Sequence, residues 1–205
     1  MKTIQAVLPP KRPGARAVVL FSDGASWKLY PSVVADQGLY PGMELDDAAL
    51  TRIRDANGAV SAKQRAVRII SAAGVTKEDL EARLCRKGEK PEDAKNAVNW
   101  LSDLRLLDDA ETARQIAARG AARGYGLQRI RQMLYEKRVP REYWEEALAS
   151  VPDQSGTLET FLADRLGAEP DEKTRRSAVS AALRRGFTWQ EISAALARLG
   201  AEPEE

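Results

Sequence analysis

The sequence predicts a mainly α-helical protein made of tandem three-helix repeats behind a small N-terminal segment that contains a β-hairpin. Three observations lead there. Helical apolar spacing runs almost unbroken from Ser61 onward, whole helix trios recur at shifts of 50 and then 48 residues, and β-prone residues with turn signals gather before residue 60.

The N-terminal segment, residues 1–60, comes first. Val18-Val19-Leu20-Phe21 is a short β-prone run, and Asp23-Gly24 behind it is a turn signal. Trp27 and Leu29 then alternate with polar neighbours up to Pro31. A short helix is expected from about Asp46 to Asp55, ended by Asn57-Gly58.

The first repeat is read over residues 61–108. Ala62, Ala66, Ile69 and Ile70 share a helical face, with Gly74 placed to end that helix. Thr76-x-x-Asp79 is a capping-box-like start, Leu80 and Leu84 follow at helical spacing, and Gly88 closes the segment. Pro91 opens the next helix, because its fixed φ suits the first turn and Glu92 and Asp93 suit the positive end of the dipole. Ala94, Val98 and Leu101 carry its apolar stripe.

A shift of 50 residues places Leu84 on Leu134, Ala97 on Ala147 and Val98 on Leu148. A further shift of 48 places Leu134 on Ala182, Trp144 on Ile192, Ala147 on Ala195 and Leu148 on Leu196. Pro140 opens the third helix of the second repeat, residues 109–152, and Thr188-x-x-Glu191 opens that of the third, residues 153–200. An acidic tail, 201–205, follows. Each helix alone is too short to be stable in water, so the helices must bury one another's apolar faces.

Composition removes much of enzymology. Among 205 residues there is no histidine and one cysteine, Cys85, so no Ser-His-Asp relay, Cys-His pair, imidazole-ligated metal, CxxC zinc site or internal disulfide can form. There is no Walker, GxGxxG or GxSxG motif, and the paired acids Asp46-Asp47, Glu92-Asp93, Asp108-Asp109 and Glu145-Glu146 read as helix-start or polar-face residues. A non-enzyme without cofactor or metal is expected. No uncharged run exceeds eight residues, the N-terminus does not read as a secretory signal, and a lone cysteine suits a reducing compartment, so a cytoplasmic protein is expected. Without a heptad run, a monomer is expected.

The bulk charge, 32 Lys+Arg against 30 Asp+Glu, hides a local imbalance. From Arg114 to Arg141 eight basic residues face one acid, Glu136, a net +7 over 28 residues, whereas residues 61–108 hold 10 basic and 8 acidic residues. Gly120, Gly124 and Gly126 lie within the segment, and a glycine-flanked turn can present backbone N–H groups to an anion at the next helix's N-terminus. A mixed-sign surface would be only a solvated face; an uncompensated one favours a polyanion or an acidic protein surface. The candidate binding residues are Arg119, Arg123, Arg129, Arg131, Lys137 and Arg138. Trp100, Trp144 and Trp189 each fall in the third helix of a repeat and read as packing residues.

Asp108-Asp109-x-x-x-Ala113 leading into Arg119, then Gly126-Leu127-Gln128-Arg129-Ile130-x-x-x-Leu134-x-x-Lys137, resembles the bacterial RecX regulatory proteins, modulators of the RecA recombinase. Asp79-Leu80-x-x-x-Leu84-x-x-Lys87-Gly88 echoes that pattern in the first repeat, and Val18 to Gly24 with Leu39-x-x-Gly42-x-x-Leu45 resembles the extension of longer members. The chain departs from the family at Arg138-Val139, where Gly-Ile is usual, and a non-glycine there puts the turn in doubt.

The resemblance implies an elongated, curved array of helix-turn-helix-like units. It also implies a regulator that lodges in the groove of the RecA–single-stranded-DNA filament and restrains its extension, ATP hydrolysis and strand exchange, in recombination, DNA repair and the SOS response. A different reading of the same residues is a stand-alone helix-turn-helix-like transcription regulator, with Gln128 and Gln132 reading bases in a duplex groove.

Overall fold

The computed structural model describes residues 1–72, 74–168 and 170–200; the expected acidic tail lies outside them. The chain divides into two compact units, one of Met1–Gly74 and Leu80–Leu106, the other of Val75–Asp79 and the chain from Leu107 on. A mainly helical protein with a small N-terminal sheet is what the sequence led us to expect.

In the first unit, β1 (Lys2–Leu8), β2 (Ala17–Phe21), β3 (Ser26–Leu29) and β4 (Glu44–Leu45) form an antiparallel sheet in the order β3-β2-β1-β4. The hairpin read from the sequence is β2–β3. Asp23 accepts from the Ala25 N–H at 3.0 Å, and Gly24 takes φ 84° in the turn. Strands β1 and β4 were not anticipated, and neither was α1 (Pro31–Asp36). β1 carries a bulge between Ile4 and Ala6 that breaks strict alternation, and β4 is two residues long. Ile4, Val19, Phe21, Leu29 and Leu45 of the sheet pack with Val33, Leu50 and Ile53.

One expectation fails outright. The helix starting at Asp46 does not stop at Asn57-Gly58; α2 runs unbroken over Asp47–Ile70, so the N-terminal segment and the first helix trio share one helix. Asn57 and Gly58 serve tertiary contacts instead. The Asn57 side-chain oxygen accepts from the Tyr30 N–H at 3.0 Å, and a Cβ at Gly58 would stand 2.6 Å from Asp93 Oδ2. Asn-Gly here permits close approach inside a helix rather than ending it. Helices α3 (Lys77–Arg86) and α4 (Pro91–Asp103) follow, with Leu80, Leu84, Ala94, Val98 and Leu101 buried.

The second unit holds α5 (Asp109–Ala122), α6 (Leu127–Glu136), a 3-10 turn Arg141–Tyr143 leading into α7 (Trp144–Ala149), α8 (Ser155–Leu166), α9 (Glu172–Arg184) and α10 (Trp189–Arg198). One core joins Ala113, Ile116, Ile130, Leu134 and Ala147; another joins Leu158, Leu162, Ala182, Phe187, Ile192 and Leu196. The internal correspondence is physical as well as sequential, because Leu84, Leu134 and Ala182 are all fully buried. Thr188 forms a complete capping box with Glu191 at the start of α10, as the spacing indicates.

Candidate nucleic-acid interface

The basic segment covers α5, α6 and the turns after them. Arg119 lies in the last turn of α5 and Arg123 caps its C-terminus, four residues on. Arg129 and Arg131 lie on α6, with Lys137 and Arg138 just beyond its end. Helix α6 buries Ile130 and Leu134. Gln128, Arg131, Gln132 and Tyr135 are exposed at i, i+3, i+4 and i+7, which places them on the opposite face.

These cations are not equivalent. Arg129 pairs with Glu136 at 3.3 Å and Arg138 with Glu78 at 3.2 Å. Arg114, from the same basic run, is held between Glu111 at 3.0 Å and Glu146 at 2.9 Å. Arg119, Arg123, Arg131 and Lys137 are exposed and make no ion pair among the described residues. Of the six candidates, four therefore keep their charge available and two have it partly compensated.

The anion site expected at the α6 N-terminus is already filled by protein. The Gly126 N–H donates to the Arg185 carbonyl at 2.9 Å, and the Gln128 N–H donates to the Gly186 carbonyl at 3.1 Å. A Cβ at Gly126 would lie 2.4 Å from the Gly186 oxygen, and one at Gly186 would lie 2.2 Å from the Arg129 nitrogen. The glycines let two backbones interlock, and the carbonyl end of α9 satisfies the orphan N–H groups that an anion would otherwise take.

The far end of α6 is secured in a related way. Thr76 Oγ1 donates to the Lys137 carbonyl at 2.9 Å, and it accepts from the Asp79 N–H as the cap of α3. Beside it, the Lys77 N–H donates to Asp109 Oδ1 at 3.0 Å. Asp109 is only 8% exposed, and burial pushes its carboxyl above the ordinary aspartate value while the Lys77 N–H pulls the other way. Asp108 is the helix-start residue it was expected to be, accepting from the Glu111 N–H at 2.9 Å. Asp109 is a junction residue.

Arg138 resolves the doubt about its turn. It adopts φ 52°, next to φ 88° at Gly88 and φ 89° at Gly186, the equivalent positions. The same two backbone bonds close all three turns: Arg138 N–H to Tyr135 and Val139 N–H to Leu134 match the pairs at Gly88–Glu89 and Gly186–Phe187. The glycine is lost and the turn is kept.

Tertiary structure adds a cation that the sequence reading missed. Arg185 reaches from the end of α9 to the α5–α6 turn, with its Nη1 3.5 Å from the Gly124 carbonyl and its guanidinium 4.1 Å over the Phe161 ring. Arg165 stacks on the same ring at 4.8 Å. Nothing local marks Arg185; only the recurrence of Gly186 at the Gly88 position hinted that this turn mattered.

Fold and site together define a helical-repeat protein whose second unit holds four exposed, unpaired cations and a glycine-mediated interlock of backbones. The family description "RecX, second three-helix domain" matches residues 108–148, the stretch that holds α5, α6 and all but the last residue of α7. The regulatory protein RecX of Chromohalobacter salexigens is 30% identical over 136 residues, covering 64% of this chain and 88% of that protein. That of Vibrio parahaemolyticus is 29% identical over 141 residues, covering 67% and 90%. That of Enterococcus faecalis is 26% identical, covering the whole of this chain and 79% of its own length. A crystal structure of regulatory protein RecX superposes with a TM-score of 0.65 at 19% identity, over 98% of this chain and all of that one, and the Lactobacillus salivarius RecX structure gives 0.60 at 20% over 71% and 98%. The chain belongs to the RecX family of regulatory proteins.

Proposed function

We propose that this protein binds the RecA–single-stranded-DNA filament and inhibits its extension, ATP hydrolysis and strand exchange. The three helix trios act as repeats, and the second supplies the main cationic contact. The RecA partner follows from the family resemblance. The observation that carries the reading is the set of exposed, unpaired cations Arg119, Arg123, Arg131 and Lys137. Uncompensated guanidinium groups match phosphate oxygens bidentately and raise the local concentration of a polyanion. Gln132 is engaged by Glu136 at 3.2 Å, which weakens the reading as a base-selective transcription regulator.

The test is RecA ATPase on single-stranded DNA. Wild-type protein is expected to lower turnover. The combined variant Arg119→Gln, Arg123→Gln, Arg131→Gln is expected to lower it much less while keeping its helical circular dichroism. Unchanged turnover with saturating wild-type protein would overturn the proposal.

A further inference from the structure

Beyond the C-terminal end of α6 lies an open cleft of about 470 Å³, lined by Glu78, Tyr135, Glu136, Arg138, Pro140, Arg141 and Trp144 among others. Tyr135 is 65% exposed, among the most exposed large apolar side chains here, and its side chain makes no hydrogen bond or ring contact among the described residues. Trp144 is pinned by contrast: its Nε1 donates to the Val139 carbonyl at 2.9 Å, and the Arg141 guanidinium stacks 5.0 Å from its ring.

The charges within the cleft nearly cancel, with Glu78 and Glu136 set against Arg138 and Arg141. Glu78 holds Arg138 and Glu136 holds Arg129. A phosphate would gain little in such a place. A flat, neutral aromatic group with hydrogen-bonding edges fits the chemistry better, and two unpaired cations close in sequence, Lys137 between the lining residues Glu136 and Arg138 and Arg131 one turn before Tyr135 on the same helix, supply what a phosphodiester chain needs. The volume lies in the range of small-ligand clefts.

We infer that this cleft receives an unpaired base of single-stranded nucleic acid, stacked on the free Tyr135 ring, while Lys137 and Arg131 hold the flanking phosphates. The inference rests on the nucleic-acid part of the proposed function and deepens it. It names a stacking residue and separates base from backbone recognition. Stacking on an aromatic side chain is tolerant of sequence, as a filament-wide regulator requires.

The test uses the full-length protein and two fluorescent single-stranded oligonucleotides of equal length, one carrying bases and one abasic throughout. Wild type is expected to bind the base-bearing strand more tightly. Tyr135→Ala should lose about tenfold on that strand and nothing on the abasic strand, and Tyr135→Phe should behave as wild type. Arg131→Gln should weaken both strands equally. Because Tyr135 is exposed, Tyr135→Ala is expected to keep the wild-type fold by circular dichroism.

Equal binding of the base-bearing strand by wild type and Tyr135→Ala would overturn the stacking role and leave the proposed function standing. A Tyr135→Ala variant that binds both strands normally yet no longer slows RecA would assign the cleft to a protein contact, again overturning it. Failure of wild type to bind either strand would overturn this inference and the nucleic-acid part of the proposed function, while RecA turnover still decides filament inhibition.

Discussion

At φ 52°, Arg138 holds a left-handed backbone conformation that Gly88 and Gly186 adopt without a Cβ to accommodate. Arg138→Gly should therefore stabilise the protein by about 1 kcal/mol, less the few tenths contributed by an exposed ion pair to Glu78. The measurement is the urea midpoint at unchanged slope, and a lower midpoint would show that the ion pair outweighs the strain. Asp109 makes a second prediction. Its carboxyl is raised by burial, so its contribution to stability is greatest below the ordinary carboxylate range and falls as pH climbs through the raised value. Asp109→Asn keeps an acceptor for the Lys77 N–H and removes the charge. It should match wild type near about pH 4 and exceed it at about pH 7. Asp109→Ala, which leaves that N–H unpaired, should cost about 1–2 kcal/mol. Unfolding by denaturant at both pH values checks the pair.

Helix α6 is gripped at both ends by main-chain and hydroxyl bonds, and its dipole meets the opposite pole of α9 at its N-terminus. Two glycines isolate that interlock. Gly88 and Gly186 share nearly the same φ, but a Cβ at Gly88 would meet nothing within 4 Å, whereas one at Gly186 would collide with the Arg129 backbone. Gly88→Ala is expected to cost about 1 kcal/mol, the left-handed penalty alone. Gly186→Ala should cost at least ~2 kcal/mol more, because backbone must move to admit it. Equal losses in thermal unfolding would mean the two backbones separate easily. The helix starts were legible in the sequence because capping is local: Asp46, Asp108 and Thr188 each accept from a backbone N–H three residues on. The continuation of α2 through Asn57-Gly58 was not legible, because the partners that make use of those residues, Tyr30 and Asp93, are remote in sequence.

For the molecule as a whole, binding should depend on which cations are free rather than on how many there are. Replacing Arg119, Arg123 and Arg131 by glutamine should flatten the salt dependence of single-stranded DNA binding by about 0.7 for each phosphate no longer neutralised. Arg129→Gln and Arg138→Gln, already compensated by Glu136 and Glu78, should change it far less. Affinity measured across a salt series decides this, and equal effects from the two sets would mean that the ion pairs open on binding. Cys85 is half-buried, and no described helix is long and apolar enough to cross a membrane.

The sequence by itself determined the mainly helical fold, the caps at Thr76 and Thr188, the β2–β3 hairpin and the position of the basic stretch, since each is written in local spacing that a short window reads. Tertiary structure alone decided which cations are free, because Glu78 and Glu146 reach Arg138 and Arg114 from other elements. It alone brought Arg185 to the Gly124 turn and closed the α6 N-terminus against an anion. Charge compensation and backbone satisfaction depend on distance in space, and a linear pattern does not carry that distance.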